Sequence, residues 1–437
     1  LEQIDVLMDQ TIDLMTQGIE QGYVPPKITM GRVPAQIEKQ LVAQATDSLF
    51  YKPFKQMPAA MAALDQVRLQ HAAQTVIAAK VIPAYEKLYA FFTETYFPAC
   101  RADIGASSLP NGRAYYESRV RAFTTTDLTP EDVHQIGLTE VARIRGEMTA
   151  VMKAVEFKGS LTAFFEFLRN DPQFYYTDAK DLLQAYQATA KQIDPTLVQL
   201  FTKLPRMPYG IQVIPEAVAP DTTTAYYTRP AADGSRPGYY WVNLYDPSAR
   251  PKFEIEVLTV HEAVPGHHLQ IALQQELEGL PNFRRYSGYT VFTEGWGLYS
   301  ERLGYDVGLY QDPYSRFGQL SYDMWRAVRL VVDTGMHYKG WTRDEAIAYF
   351  VANAPRKKLD IVNEIDRYIS WPGQALAYKI GQLKMSELRQ RASAALGDGF
   401  DLRRFHDRML ENGAIPLSML EQTMTDWITA EARAQAD

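Results

Sequence analysis

Sequence typical of β-strands is confined to one short part of this 437-residue chain, residues 209–245. Two runs rich in β-branched and aromatic side chains, residues 210–214 and 238–245, are separated there by turn-forming residues. Almost everywhere else, apolar residues recur at helical spacing. The sequence therefore predicts a mainly α-helical fold with one small β-sheet. We expect one large domain in which a helical lobe (residues 1–205), the sheet (206–250) and a second helical lobe (251–437) follow one another.

Local signals define two of the longer helices. A helical pattern covers residues 61–97, and we expect a bend at Pro83 rather than two separate helices, because proline lacks the backbone N–H of a regular helix. Thr129 and Pro130 form a good helix start, since the threonine hydroxyl can cap the backbone and proline suits the first turn. The second helix should reach about Val155.

The composition excludes several classes of protein. Hydrophobic residues make up 46% and charged residues 22%, as in ordinary globular proteins, and no run approaches the roughly 18 apolar residues of a membrane span. The net charge is −7 and the basic residues are scattered, which argues against nucleic acid as a partner. The single cysteine, Cys100, excludes an internal disulfide and any cysteine-rich metal site.

The chain begins at Leu1 without a methionine and runs directly into helical sequence. A missing N-terminal segment, such as an export leader, would explain this start. The compartment stays open, with a periplasmic or envelope-attached location slightly favoured over a cytoplasmic one. The sequence does not define an oligomeric state.

The most informative motif is a cluster of histidines. Three of the seven histidines fall within eight residues, in the run His261-Glu262-Ala263-Val264-Pro265-Gly266-His267-His268. Imidazoles and a carboxylate at this density predict a set of metal ligands. In the common His-Glu-x-x-His pattern of zinc hydrolases the histidines lie four residues apart on one helix, but here Pro265 interrupts the helix. A regular helix would return His268 to the face of His261, whereas a distorted turn favours His267. We favour His267 as the second ligand and keep His268 as the alternative.

A third ligand is expected in a later predicted helix that begins near Thr293. Glu294 lies in its first turn, and two neighbouring glycines would let another helix approach closely. Glu301, seven residues later on the same face, is either a partner of a ligand or a rival ligand. A structural ion pair of Glu301 with Arg302 is the simpler interpretation. Two histidines and Glu294 would leave one open position on a zinc ion.

These motifs together resemble a known family. The stretch at residues 261–268, followed by Glu-Gly-Trp, is similar to the hallmark of the bacterial domain of unknown function 885. The resemblance extends to further segments, at residues 107–112, 236–238, 326–337 and 372–378. That family is more distantly similar to the helical zinc peptidases of the thimet-oligopeptidase, angiotensin-converting-enzyme and thermostable-carboxypeptidase type. The resemblance implies a helical zinc-peptidase-like body, additional N-terminal sequence, one Zn²⁺ held by His261, His267 and Glu294, and Glu262 as the general base.

Two residues compete to stabilise the oxyanion that forms when water attacks a carbonyl. Tyr378 resembles the late tyrosine that helical zinc peptidases use for this purpose. His337 is the other candidate, because it recurs with Arg329 and Asp333 every four residues on one helical face. This face would then line a polar cleft.

The substrate is expected to bind beside the metal helix. Residues 238–244 are predicted to form an exposed strand edge, to which an extended peptide can add as a further strand. We expect Asn243 to reach the substrate backbone, and Tyr240 and Arg329 to contact the substrate as well.

These expectations combine into a metal-dependent hydrolase, a zinc peptidase in which Glu262 activates a metal-bound water to cleave a peptide or other amide bond. Two alternatives stay open. The chain could be a helical protein that binds a metal without catalysis. Less favoured is a non-haem iron oxygenase, since two histidines and a carboxylate also bind Fe(II).

Overall fold

The structure, a computed structural model, describes residues 1–216 and 218–436. The chain divides into two compact units, Leu1–Ala114 and Tyr115–Asp437. This boundary lies well before residue 205, where the sequence pattern suggested the end of a first lobe.

The first unit is built from helices. Its longest are α1 (Ile4–Gln21), α2 (Ala63–Val76) and α3 (Ile82–Phe91), and shorter helical turns cover Lys27–Met30, Val33–Glu38, Lys52–Lys55 and Phe97–Ala99. Two π-helical segments, Ile77–Val81 and Phe92–Tyr96, join the helices of residues 63–99 into one run. The first of them ends just before Pro83, whose nitrogen cannot donate a hydrogen bond. The helical run therefore continues through the proline and does not divide there into two separate helices.

Helix α4 (Gly112–Thr124) contains the unit boundary. Among the described residues, the second unit then holds twelve helices of eight residues or more, a short turn at Asn282–Arg285 and several 3-10 turns. These helices are α5 (Pro130–Ala154), α6 (Leu161–Asn170), α7 (Ala179–Ile193), α8 (Ile255–Glu262), α9 (His267–Glu276), α10 (Thr290–Asp306), α11 (Pro313–His337), α12 (Arg343–Asn353), α13 (Lys358–Ser370), α14 (Ala377–Leu396), α15 (Leu402–Leu410) and α16 (Leu417–Ala436).

Helix α5 begins as its sequence predicts. The Thr129 hydroxyl accepts a hydrogen bond from the backbone N–H of Asp132 (3.2 Å), and the Asp132 carboxylate accepts one from the N–H of Thr129 (2.9 Å). This reciprocal capping box satisfies two N–H groups that a helix start leaves without partners. The helix ends at Ala154, close to the predicted end, and packs along α11.

Helix α11 is the central helix of the second unit. Every residue from Phe317 to His337 is buried. Because a buried helix must find partners for its polar side chains, its charged groups form ion pairs with other helices. Asp323 contacts Lys379 of α14 (2.5 Å) and Arg143 of α5 (2.9 Å). These contacts tie three helices together.

The sheet contains β1 (Tyr209–Val213), β2 (Ala225–Thr228) and β3 (Gly238–Val242) in the order β1-β3-β2. Strand β3 pairs in parallel with β1 and antiparallel with β2. The prediction that residues 238–244 form an exposed edge is therefore wrong, because partners on both sides occupy the backbone of β3. The mainly α-helical fold with a small sheet is confirmed. Among the described helices, none combines the length and the apolar character of a membrane-spanning segment.

His406 of α15 gives this unit a measurable dependence on pH. Its Nδ1 donates to the Leu200 carbonyl (2.9 Å) and its Nε2 accepts from the Tyr299 hydroxyl (2.9 Å), so the fully buried ring is neutral. Burial lowers the pKa of His406 to about 3. The unfolded chain protonates this histidine near pH 6.5, so stability that is present above pH 6.5 is lost as the pH falls towards 3. The loss is at most about 1.4 kcal/mol per pH unit.

We expect His406→Asn to flatten this dependence between pH 6.5 and 4. The free energy of unfolding can be followed by tryptophan fluorescence in urea, because all six tryptophans lie in the second unit. The variant will be less stable than the wild type at pH 7, since asparagine keeps the donor to Leu200 but not the acceptor for Tyr299. An equal slope for both proteins would contradict the assignment of a neutral buried ring.

Candidate metal centre

Three residues expected to bind a metal come together in the second unit. One donor atom each from His261, His267 and Glu294 lie within 4.8 Å of one another. The Glu294 Oε2 atom is 3.8 Å from Nε2 of His261 and 3.4 Å from Nε2 of His267. Ligand atoms at 2.0–2.1 Å from a tetrahedral zinc ion would lie about 3.3 Å apart. The donor types are therefore those of zinc, and the 3.4 Å pair lies near this spacing, whereas the 3.8 Å pair would close by about 0.5 Å around an ion.

A break between two helices decides which histidine faces Glu294. Helix α8 ends at Glu262 and α9 begins at His267. The indole N–H of Trp296 donates to the carbonyl oxygen of Pro265 (2.8 Å), which anchors the intervening turn to α10. His267 is thus carried by a new helix and does not depend on the register of α8.

His268 is engaged elsewhere. Its Nε2 donates to the carbonyl oxygen of Met207 (3.0 Å), and its Nδ1 accepts from the hydroxyl of Tyr227 (2.9 Å). Burial lowers the pKa of His268 to about 4. Because protein groups occupy both ring nitrogens, His267 is the histidine that the structure brings to the site with His261.

Glu301 binds the ring nitrogen of His261 that does not face Glu294. Its fully buried carboxylate accepts a hydrogen bond from Nδ1 of His261 (2.8 Å), which leaves Nε2 to face Glu294. The cation next to Glu301 is Arg326, at 3.4 Å. Glu301 is therefore a partner of a candidate ligand and not a rival ligand, and the expected ion pair with Arg302 is replaced by one with Arg326.

The glycines beside Glu294 make close approach possible, as predicted. A Cβ atom at Gly295 would lie 2.6 Å from the Cα of Gly381, where α10 meets α14. A Cβ atom at Gly297 would lie 2.8 Å from Cε1 of His261 and 3.1 Å from Cε1 of His267. A side chain at position 297 would therefore displace the imidazoles.

The site favours positive charge. Burial lowers the pKa of His261, but the carboxylates of Glu294 and Glu301 outweigh this and raise it to about 9. Burial raises the pKa of Glu294, yet His267 and His261 hold it well below the usual range of a glutamate. A half-buried carboxylate that stays ionised between two imidazoles is an electrostatic setting that favours a metal cation.

These groups line a cavity of about 470 Å³. Its wall includes β2 with the preceding residues 223–224, and side chains from α8, α9, α10, α11, α13 and α14. Glu262 lines it next to His261, Arg329 lines it from α11, and Tyr378 lines it from α14. The cavity therefore brings together six residues that were predicted to bind metal, to bind substrate or to act in catalysis. They are Arg329, His261, Glu262, His267, Glu294 and Tyr378.

Two predicted substrate-binding residues do not line the cavity. Asn243 is only 1% exposed, and its amide nitrogen donates to backbone carbonyls, including that of Ala219 at 2.7 Å. Tyr240 is fully buried and packs edge-on against Tyr186. The expectation that they reach the substrate does not hold, because Asn243 instead holds the chain that leads into β2 and Tyr240 belongs to the core.

His337 also lies away from the cavity. It is fully buried at the end of α11, where its Nε2 donates to the carbonyl oxygen of Tyr368 (3.0 Å). Asp333 accepts a hydrogen bond from the Tyr116 hydroxyl (2.6 Å), and burial raises the pKa of Asp333 to about 7. Of Arg329, Asp333 and His337, only Arg329 lines the cavity. Of the two oxyanion candidates, Tyr378 lines the cavity and His337 does not.

Sequence reasoning missed the cavity residues of β2 and α13. The run Thr222-Thr223-Thr224-Ala225-Tyr226-Tyr227 is β-branched and aromatic, a signal that could have predicted the third strand. Glu364 and Arg367 carried no such signal, because a glutamate and an arginine three residues apart are typical of any solvated helix.

A family model described as "Bacterial protein of unknown function (DUF885)" matches residues 1–424 of the chain. The chain belongs to the DUF885 family. This confirms the resemblance drawn from the histidine and Glu-Gly-Trp motifs. The family description itself names no activity.

The solved structures that are similar to this DUF885 chain include two putative lipoproteins. A crystal structure described as that of "the putative lipoprotein from Colwellia psychrerythraea" has a TM-score of 0.93 and 36% identity, over 98% of this chain and 75% of that chain. A "putative lipoprotein of unknown function from Shewanella oneidensis" has a TM-score of 0.67 and 18% identity, over 86% of this chain and 69% of that chain. The second likeness shows the fold alone. No curated protein is significantly similar to the chain.

Proposed function

We propose that this DUF885 chain is a zinc-dependent hydrolase that cleaves peptide or other amide bonds. The observation that carries the proposal is the convergence of His261, His267 and Glu294 on one cavity that Glu262 also lines. Two imidazoles and one carboxylate are a recurrent ligand set of catalytic zinc sites, which keep a position open for water or substrate. A glutamate directly after the first ligand has an obvious use in hydrolysis.

The residues of the cavity supply the groups that such a reaction needs. A bound zinc ion would make water nucleophilic near neutral pH and would polarise a carbonyl group. Glu262 is the proposed general base, which takes the proton of the attacking water and passes it to the departing amine. The hydroxyl oxygen of Tyr378 accepts from Arg367 and Gln374, each at 3.4 Å, so its own proton remains for donation to the oxyanion.

Strand β2 favours a peptide as the substrate. It is an edge strand of the sheet, and residues 223–227 line the cavity. An extended peptide can add to such an edge through main-chain hydrogen bonds. Methylation of a substrate backbone nitrogen that pairs with β2 should weaken binding, whereas equal binding of every N-methylated peptide would exclude strand addition.

The first test is elemental analysis of the wild type and of Glu294→Ala, both purified without added metal. We expect about one zinc per chain in the wild type and its loss in the variant, because a carboxylate ligand is removed. Glu278→Ala, at an exposed position, serves as the control and should keep its zinc.

The other outcomes separate the alternatives. No metal in the wild type, even after zinc is offered, would contradict the proposal. Stoichiometric iron would favour an oxygenase. Bound zinc without cleavage in a broad peptide library, unchanged by Glu262→Gln, would indicate a metal-binding protein without catalysis.

We also propose that the chain acts in the periplasm or attached to the cell envelope. Support comes from the similar structure from Colwellia psychrerythraea, which is described as a putative lipoprotein. Fractionation of the native cells should recover the protein with the envelope or periplasm, and recovery with the cytoplasm would contradict this location.

A further inference from the structure

Part of the cavity wall carries more positive than negative charge. Arg329 of α11 and Arg367 of α13 line it together with Glu364. The carboxylate of Glu364 lies 3.0 Å from Nη2 of Arg329 and 3.6 Å from Nη1 of Arg367. Two guanidinium groups therefore share one carboxylate, and one positive charge is left over at this place.

Arg329 also has an unused hydrogen-bond donor. Its side chain is almost completely buried, its Nε donates to the hydroxyl of Tyr368 (2.7 Å), and its Nη2 donates to Glu364. The Nη1 atom is buried and has no hydrogen-bond partner among the described residues. A buried cationic donor without a partner is costly, so its persistence calls for an explanation. Arg329 lines the cavity, so an anionic ligand there would supply the missing acceptor once Nη1, which has no exposed surface of its own, turns towards it.

Aromatic rings hold the guanidinium of Arg329 in place. Its Cζ lies 4.6 Å from the ring centre of Trp325 and 4.4 Å from that of Tyr378. Such stacking fixes the plane of the guanidinium group and with it the direction of its one remaining donor, Nη1. The group is therefore ordered before any ligand arrives, which lowers the entropy cost of binding.

We propose that Arg329 and Arg367 bind a carboxylate of the substrate, so that the site acts on amide bonds close to a carboxylate. This inference rests on the proposed hydrolase function and specifies its substrate class. Arg367 also contacts the hydroxyl of Tyr378 (3.4 Å), the proposed oxyanion donor. A substrate anchored by its carboxylate would therefore present a neighbouring carbonyl to Tyr378, in the cavity that Glu262 and the candidate ligands line. The carboxylate could be the C-terminus of a peptide or an acidic side chain.

Calorimetric binding to the full chain tests the proposal without relying on turnover. The probes are N-acetyl-alanyl-alanine, its C-terminal amide, and N-acetyl-glutamyl-alaninamide, whose carboxylate is in the side chain. We expect one of the two carboxylates to bind about tenfold or more tightly than the uncharged amide, because a charge-assisted hydrogen bond contributes on this scale. The tighter of the two identifies the source of the carboxylate. The same series on chelator-treated protein distinguishes binding by arginine from binding by a metal.

Matched variants assign the effect to the two arginines. Arg329→Gln and Arg367→Gln should each remove most of the preference for the carboxylate. Arg169→Gln, which removes an arginine paired with Glu166 outside the cavity, should keep it. If the variant of the buried Arg329 does not fold, the Arg367 variant alone tests the proposal. The Arg367 side chain is 36% exposed, so its replacement should leave the fold intact.

The proposal is overturned if neither carboxylate binds more tightly than the amide, if no probe binds, or if the preference survives in Arg367→Gln. These outcomes are distinct from failure of the hydrolase proposal. If the protein prefers the carboxylate probes but cleaves nothing, the carboxylate site stands and the hydrolase proposal fails. If it cleaves peptides without preferring the carboxylate probes, the hydrolase proposal stands and the carboxylate site fails.

Discussion

Replacing Glu262 with glutamine is expected to reduce peptide hydrolysis by about 100- to 10,000-fold, the range that a general base contributes. Glutamine keeps the size and the polar surface of the side chain but cannot accept the proton of the attacking water. The candidate ligands are unchanged, so the variant should still bind about one zinc per chain. Cleavage of a peptide library, followed by mass spectrometry, measures the loss, and elemental analysis measures the metal.

Two further variants make this result interpretable. Glu256→Gln changes a glutamate on the same helix that accepts a hydrogen bond from the backbone of Tyr310, and it should retain activity. His261→Ala should lose both the metal and the activity. If Glu262→Gln hydrolyses peptides at the wild-type rate while holding zinc, Glu262 is not the base. If His261→Ala retains stoichiometric metal, the ligand assignment is wrong.

Replacing Lys379 with methionine is expected to lower the free energy of unfolding of the second unit by about 3–5 kcal/mol. The ammonium group is fully buried and contacts Asp323 at 2.5 Å and Glu140 at 2.7 Å. Its removal leaves the buried Asp323 carboxylate with Arg143 as its nearest remaining cation. Tryptophan fluorescence in urea measures the change.

The size of this effect depends on the buried carboxylates, which lose one of their cations, and not on the lysine side chain itself. The double variant Lys379→Met with Asp323→Asn should therefore be less destabilised than the sum of the two single variants, because both charges are removed together. Lys191→Met, which breaks an exposed pair with Asp194, should change stability by no more than about 1 kcal/mol. Additive effects in the double variant would show that the two groups are not coupled.

The helices could be predicted from the sequence because their signals are local. The capping residues of α5 lie next to each other, and the spacing of apolar residues extends along the same element. The sheet was predicted only in part, since the order of strands depends on pairing between distant segments. Residues 238–242 read as a strand, but nothing in them indicates that β1 and β2 lie on either side.

The candidate ligands could be predicted for a similar reason. Histidines and a glutamate are rare enough in such spacing to stand out, whereas the choice between His267 and His268 required the turn that Trp296 anchors. The substrate-binding predictions failed for Asn243 because a polar residue at a strand end can serve either the backbone or a ligand. Its contacts with backbone carbonyls show which of the two applies here.

The candidate ligands come from three separate helices, and this arrangement has a thermodynamic consequence. His261 lies on α8, His267 on α9 and Glu294 on α10, so the unfolded chain has no comparable arrangement of donors. An ion that binds only the folded state shifts the folding equilibrium by mass action, by about 2.7 kcal/mol at a free concentration 100 times its Kd. The melting temperature of the protein would then rise with metal concentration and fall with a chelator. Occupancy of the site would thus govern the lifetime of the protein as well as its chemistry.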